Sequence, residues 1–423
     1  MLYFARGSEN GVIDTDLLEK SLIETFKKIG DKKKILIIPP DFTRFNSRSG
    51  IITQFAWNHY GDSISDILPA LGTHFAMTDK EISKMFGDVP KSLFRVHDWR
   101  NDIVDIGEIP SSYINKISEN RANYSIKVQL NKMLIEGNYD LILSIGQVVP
   151  HEVIGMANYN KNIFVGVGGS DIINKSHFLG AAYGLERIMG RADSPVRQAL
   201  NYASDNFAKN LPIVYIQTVV GKDNNGKLQM RGLYIGDDIE CYNHAAALSL
   251  KVNFQMLDKP LKKVIVNLDE EEFKSTWLGN KSIYRTRMAI QDDGELIVLA
   301  PGLREFGEDK VIDSLIRKYG YKTTPEILDY LDKNEDLKIN LSAAAHLIHG
   351  SSENRFKITY CPGHLSREEI ESVNYIYGDL NEMRKIYDPA KLKDGYNIME
   401  NGEEIFYISN PAIGLWAWKE VFE

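Results

Sequence analysis

Three of the nine histidines in this 423-residue chain stand where an apolar run gives way to a polar loop. His74 lies in LGTHFAMTDKE, His151 in SIGQVVPHEVIG and His177 in GGSDIINKSHFLG. A neutral imidazole so placed can exchange a proton near neutral pH or bind a metal. Any one loop histidine is more often structural, so the convergence of all three would be what marks a site. Asp41, Thr43 and Arg44 in PPDFTRF add an acceptor, a hydroxyl and a guanidinium, a set suited to sugar hydroxyls and to a carboxylate or phosphate. Gly166, Gly168 and Gly169 in VGVGGS could let backbone N–H groups approach an anion at a helix start. That turn matches neither a Walker loop nor a GxGxxG fingerprint, and an ordinary tight turn explains it equally well. In the second half, Lys281, Arg285 and Arg287 in NKSIYRTRMAI read as a solvated helix face or as an anion clamp. His346 and His349 in AAHLIHG are one helical turn apart without the glutamate of HExxH, which favours a structural role.

The segments carrying these residues alternate between short apolar runs and amphipathic stretches, as expected of parallel sheets covered by helices. The expected fold class is α/β: two α/β domains with a cleft between them. Strands are expected at Ile35–Ile38, Ile64–Leu71 and Asp140–Ile145, so the loops holding Asp41, His74 and His151 all leave the carboxyl ends of strands. Ligands of open α/β sheets bind at that edge. Thr78 and Glu81 have capping-box spacing for a helix running toward Gly87. The stretch KNIFVGVGGSDIINKSHFLG reads as a short strand, a glycine turn and a helix capped by Ser170. About five strand residues at roughly 3.3 Å each and about seven helical ones at roughly 1.5 Å would leave Lys161 and His177 near the same end. A second α/β core is expected from strands at Val264–Leu268, Glu295–Ala300, Lys357–Tyr360 and Ile405–Ile408, with helices at Ser366–Tyr375 and Leu380–Tyr387. The domains are drawn as residues 1–259 and 260–423, with LDKPLKK as the linker.

Composition narrows the partners. Lys and Arg number 50 against 58 Asp and Glu, a net charge of −8 without a long basic run, which disfavours nucleic acid and anionic membranes. No apolar stretch approaches the roughly 18 residues of a membrane span, and the N-terminus lacks the charged and apolar regions of a signal peptide, so a cytoplasmic location is expected. Cys241 and Cys361 make neither a disulfide framework nor a thiolate cluster, so a metal here has to use histidine, carboxylate or imported donors.

In order, DFTR, GTH, VPHEVIGMANYNK, GVGG and NKSH resemble the nickel-dependent lactate racemase family and its relatives acting on other 2-hydroxy acids. The resemblance runs through about residue 190, with a weaker echo from Trp277 to Gly302. Its most specific part is PHxxxGxxxxxK followed by a histidine sixteen residues after the lysine. It implies a two-domain enzyme holding a nickel pincer nucleotide of the pyridinium-3,5-bisthiocarboxylic acid mononucleotide type, covalently linked to Lys161, with nickel on His177. It also implies that His74 and His151 form an acid/base pair serving the two faces of one carbon. Asp41 and Arg44 then belong to the cofactor and substrate shell, and Gly168 and Gly169 to the nucleotide. The family's aromatic, glutamine and lysine fall on Trp277, Leu278 and Lys281, so the substrate residues expected are Arg44, Trp277 and Lys281. Leu278 loses a polar contact, and the tracts HLIHGSSENRF and YCPGHLSREE are unlike lactate racemases. The expected reaction is therefore inversion of C2 in a sugar acid of the aldonate type, by hydride transfer to and from the cofactor. Two readings stay open beside it: a zinc or manganese hydrolase or aldolase with one metal held by His74, His151 and His177, and a non-catalytic sugar-acid-binding protein. The partner expected is a small-molecule 2-hydroxy acid, with no nucleic acid and no membrane, and with homo-oligomerisation open.

Overall fold

The computed structural model describes residues 1–223 and 226–422. Contacts divide the chain into two units, one of Met1–Leu179 with Ile188–Asn253, the other of Gly180–Arg187 with the chain from Phe254 onward. The first unit contains β1 (Leu2–Gly7), β2 (Ile35–Ile38), β3 (Ile64–Ile67), β4 (Ile103–Ile109), β5 (Ile126–Asn131), β6 (Leu141–Gln147), β7 (Pro150–His151), β8 (Gly155–Met156), β9 (Ile213–Lys222) and β10 (Leu228–Gly236). Among the described residues, six of these strands form one sheet in the order β1-β10-β9-β6-β2-β3. From β9 to β3 the neighbours are parallel, while β1, β10 and β9 are antiparallel.

β2 reads ILII and is wholly buried, and β6 is buried in all but its last residue. Apolar runs without alternation are what a strand covered on both faces requires. The side chains still alternate between faces. Leu36, Ile38 and Ile142 pack into one apolar cluster, whereas Ile35, Ile37, Leu141 and Leu143 pack into another. After β2 the chain moves outward to β3 and then returns to place β6 on the other side of β2. Strand order thus reverses between β2 and β6, the kind of switch point at which open α/β sheets bind their ligands.

One expected strand is a helix. KNIF belongs to the helix Asn160–Phe164, not to an extended segment. Two adjacent buried apolar residues, Ile163 and Phe164, suit a buried helical turn as well as a strand, so the pattern alone could not choose. The strand expected to reach Leu71 ends at Ile67. The Thr78–Glu81 capping box forms as its spacing suggests.

The second unit contains β11 (Phe254–Leu257), β12 (Leu261–Asn267), β13 (Ile290–Ala300), β14 (Lys357–Pro362), β15 (Ile376–Tyr377), β16 (Gly395–Ile398), β17 (Glu404–Ile408) and β18 (Leu415–Trp418). Its larger sheet has the order β15-β14-β13-β12-β17-β16, parallel except for β16 against β17. β11 and β18 form a separate parallel pair. LDKPLKK is therefore the end of β11, a short connection through Pro260 and the start of β12. Helices occupy Arg367–Ser372 and Leu380–Ile386. Among the described residues, no helix is long and apolar enough to cross a membrane.

Candidate active site

Asp41 follows the two prolines that end β2 and is buried, 5% exposed. Its Oδ1 accepts the Thr43 N–H at 3.1 Å and the Thr43 hydroxyl, which caps the short turn Phe42–Ser47. Its Oδ2 is 2.6 Å from Nδ1 of His74, whose side chain is 46% exposed. Burial by itself would raise the Asp41 carboxyl, but the hydrogen bond and charge of His74, the Thr43 hydroxyl and the Arg44 guanidinium hold it below the ordinary carboxylate value. The His74 loop is tied down by Gly72 N–H donating to Gly166 O at 2.8 Å, which joins it to the segment following Lys161.

His151 leaves β6 on the two-residue strand β7, which pairs with β8 through Pro150–Met156 and His151–Gly155. Gly155 has φ +88°, and a Cβ there would lie 2.0 Å from Arg191 O, so the hairpin requires glycine. Nδ1 of His151 accepts the Val153 N–H at 3.1 Å, and Oε2 of Glu152 is 3.7 Å from the same nitrogen. Burial pushes this imidazole well below its ordinary value; Lys161, His177 and Arg44 push the same way and Glu152 opposes them.

Lys161 sits on its helix behind an unusual backbone, with Asn158 at φ 63° and Tyr159 at φ 57°. Positive φ is costly for an aromatic residue and persists only where the surroundings over-determine it. Arg197, 1% exposed, supplies that constraint. Its Nη2 donates to Met156 O at 2.9 Å and Asn158 O at 3.1 Å, and its Nη1 donates to Asn160 Oδ1. The Tyr159 ring packs against Tyr215 and Tyr242, with centroids 4.3 and 5.5 Å away. On the other side of Lys161, Asn162 Nδ2 donates to Ile38 O at 3.1 Å and Ser144 Oγ at 3.0 Å, bridging β2 and β6. The lysine is thus anchored through both neighbours. Burial lowers its amine to about 8, aided by Arg44 and Arg197 and opposed by Glu152.

His177 lies on the helix Ser170–Tyr183. Its Nδ1 is 2.6 Å from Ile173 O, so Nδ1–H donates and Nε2 keeps its lone pair. Burial, with the Lys161 charge, lowers the ring to about 4, while the Ile173 carbonyl and Glu152 act the other way. Asp41, Arg44, His74, His151, Lys161 and His177 therefore come from separate stretches of sequence to the carboxyl edge of one sheet.

Residues 8–184 match the model of the lactate racemase N-terminal domain. That segment of the chain is similar to the lactate racemase N-terminal domain. A crystal structure of a Thermotoga maritima protein from a structural genomics consortium superposes with a TM-score of 0.81 at 22% identity, covering 97% of this chain and 99% of that one. The lactate racemase apoprotein from Thermoanaerobacterium thermosaccharolyticum superposes with a TM-score of 0.69 at 19% identity, covering 96% and 90%. Both are likenesses of fold. No curated protein matches the chain.

Within the matched segment, the glycine turn has a packing role. A Cβ on Gly168 would lie 1.8 Å from Phe164 O, and one on Gly169 would meet Gln129 and Ile103. Gly169 N–H donates to Gln129 O at 3.3 Å, and Gln129 Oε1 takes the Asp171 N–H at 3.0 Å. The Gly169 amide is therefore engaged with β5 rather than open to an anion. Arg197, Asn162 and Glu152 were missed by the motif reading. Glu152 stood beside His151, and Asn162 beside Lys161, but nothing local to Arg197 signals its bonds to residues about forty positions earlier. Among the described residues, no three His, Cys, Asp or Glu side chains form a set that could hold a metal, so the reading with His74, His151 and His177 on one ion lacks its donor set.

Trp277 and Lys281 lie in the second unit, on the short helices Thr276–Gly279 and Lys281–Tyr284 after β12. The Trp277 ring packs 4.6 Å from that of His346, and Lys281 Nζ is 5.5 Å from the Phe273 centroid. His346 is buried, and its Nε2 is 3.0 Å from Tyr321 OH. Arg285 and Arg287 do not form a solvated face. They are 7% and 1% exposed, with Arg285 donating to Gly414 O and Arg287 to Glu186 at 2.6 Å.

Proposed function

We propose that this chain is a cytoplasmic isomerase that inverts C2 of a 2-hydroxy acid, preferably an aldonate, with a nickel pincer nucleotide held by Lys161 and His177. The observation that carries the reading is the desolvated Lys161 amine grouped with differently bonded imidazoles at the β2–β6 switch point. With its amine lowered to about 8, Lys161 is partly free base near neutral pH, as covalent attachment to an acyl carbon requires. His177 donates Nδ1–H to a backbone carbonyl, the arrangement that fixes a metal-binding imidazole with Nε2 as donor. The remaining donors to nickel would be the cofactor's own, which fits the lack of a protein-only metal set among the described residues. When bound, the nucleotide supplies the acceptor and donor for the C2 hydride.

The chain's own task is to move a proton and orient the acid. His74 gives Nδ1–H to Asp41 and so presents an Nε2 lone pair to the substrate hydroxyl. Asp41 stabilises the imidazolium formed when that proton is taken. Arg44, exposed at the same edge, suits the substrate carboxylate. Trp277 and Lys281 are proposed as substrate residues on sequence resemblance, and Leu278 in place of glutamine supports an acid other than lactate.

Intact mass of protein produced together with the cofactor tests the reading. A nucleotide adduct should appear on Lys161, vanish in Lys161→Ala and persist in His177→Ala with nickel lost. Inversion of an aldonate by a preparation whose Lys161 is unmodified would remove the proposed attachment and the mechanism with it.

A further inference from the structure

The second unit contains a cavity of about 360 Å³, within the roughly 300–1,000 Å³ of small-molecule sites. It lies at the amino ends of β14 and β15, where Lys357 and Ile358 open one strand and Asn374 and Tyr375 precede the other. Trp277 and Lys281 instead follow the carboxyl end of β12, the edge at which open α/β sheets bind their substrates. The cavity is therefore not the place assigned to the substrate. Much of its lining comes from HLIHGSSENRF, a tract unlike lactate racemases, through Gly350, Ser351, Ser352, Asn354 and Phe356.

The charges around it favour an anion. Lys322 and Lys357 both line the cavity, and among the described residues neither forms an ion pair. The neighbouring carboxylates are engaged with the backbone instead. Glu353 accepts the Thr324 N–H at 3.0 Å and the Thr324 hydroxyl at 2.8 Å. Glu326 Oε2 accepts the Thr323 N–H at 3.1 Å and the Thr323 hydroxyl, closing the capping box of the helix Thr324–Lys333. Two ammonium groups so left over repel a metal ion and attract an anion.

The rest of the lining suits a hydroxylated carbon chain. Ser351, 5% exposed, takes the Glu353 N–H at 3.0 Å on Oγ and keeps its own proton to donate. Asn374 gives Nδ2–H to Tyr321 O at 3.3 Å and keeps Oδ1 as an acceptor. Tyr321 and Tyr375 add a stacked pair of rings, centroids 4.5 Å apart, as apolar surface for C–H groups. Both rings are fixed in advance: Tyr321 OH is 2.7 Å from Thr276 Oγ1, and Tyr375 OH donates to Gly350 O at 2.9 Å. A wall already in place spares the ligand the cost of ordering it.

We propose that this cavity binds a small polyol carrying one anionic group, a phosphate or a carboxylate, with Lys322 and Lys357 on the anion and Ser351 and Asn374 on hydroxyls. The racemase reading uses none of these four residues, so the two stand or fall separately.

Isothermal titration calorimetry of the full chain tests the proposal, with glucose 6-phosphate, gluconate, inorganic phosphate and sorbitol as probes. Glucose 6-phosphate, gluconate or both should bind with a Kd of about 1 mM or tighter, and the tighter of the two identifies the anionic group. Sorbitol lacks the charge and inorganic phosphate lacks the polyol, so each should bind about tenfold or more weakly than the best probe. Joint replacement by Lys322→Gln and Lys357→Gln should weaken the best probe by about tenfold or more, while Lys322→Arg with Lys357→Arg should keep most of the binding. Urea melts equal to the parent's establish that the glutamine variant is folded. Arg44→Gln, which removes the guanidinium proposed for the racemase substrate, should leave this binding unchanged. The proposal is overturned if neither anionic polyol binds, if the folded glutamine variant binds as the parent does, or if sorbitol or phosphate matches the best probe. Binding lost in Arg44→Gln but kept in the glutamine variant would put the ligand in the first unit, and overturns it as well.

Discussion

A charged lysine kept from water makes Lys161 a burden on the fold that carries it. With a native value of about 8 against 10.5 for an ordinary lysine, the unfolded amine is fully protonated at about pH 7 and the folded one mostly so, and the folded state bears the desolvation cost. As pH climbs from about 8 toward 10.5, the native amine releases its proton before the unfolded one does, so stability rises through that window. Lys161→Met should accordingly be the more stable protein at about pH 7, by about 1–3 kcal/mol after allowance for partial exposure, at about 1.4 kcal/mol per pKa unit. Urea melts across pH check this: the advantage should fade above pH 8, and a less stable Lys161→Met at neutral pH contradicts the desolvation account. Asp41 has the opposite sign. Its lowered carboxyl contributes stability above the ordinary carboxylate range, and this is lost as pH falls through the native value. Asp41→Asn should lower kcat by about 10- to 100-fold, the cost typical of removing a partner that orients a working imidazole, and should free the His74 tautomer in 15N spectra. Unchanged kcat with an unchanged tautomer would show that the pair is only structural.

At the scale of elements, what positions Lys161 is a strained turn and a buried guanidinium. Arg197→Met should remove the donors to Met156 O, Asn158 O and Asn160 Oδ1 and cost about 3–5 kcal/mol in denaturant melts, with faster amide exchange at residues 156–162. Gly168→Ala should cost about 1–3 kcal/mol in the chain without cofactor, since its Cβ would meet Phe164 O at 1.8 Å. A Gly168→Ala chain of parental stability that failed only to hold the nucleotide would restore the glycine's role at the ligand. The buried strands β2 and β6 were legible because an uninterrupted apolar run bounded by turn residues has few other uses. The helix at Lys161 was not, because it is set by Asn158 and Tyr159 at positive φ and by Arg197 from far along the chain. The histidines could be read from the local pattern, whereas Asp41 against His74 and Val153 against His151 are products of folding.

For the molecule as a whole, periodicity could indicate two α/β cores but not the attachment of Gly180–Arg187 to the second, which depends on pairings such as Glu186 with Arg287 across about a hundred residues. Fold similarity at 22% and 19% identity fits a scaffold specified by alternating burial on its strands rather than by particular side chains. Chemistry has to be tested on its own terms. The most direct test presents lactate, malate and a panel of aldonates to the cofactor-loaded enzyme in deuterated water and follows the hydrogen at C2. The account predicts inversion with the C2 hydrogen largely retained and aldonates turned over about tenfold or more faster than lactate. Robust lactate turnover with inert aldonates would overturn the substrate assignment alone; wholesale deuterium incorporation at C2 would show a base removing the C2 proton and contradict the hydride mechanism itself.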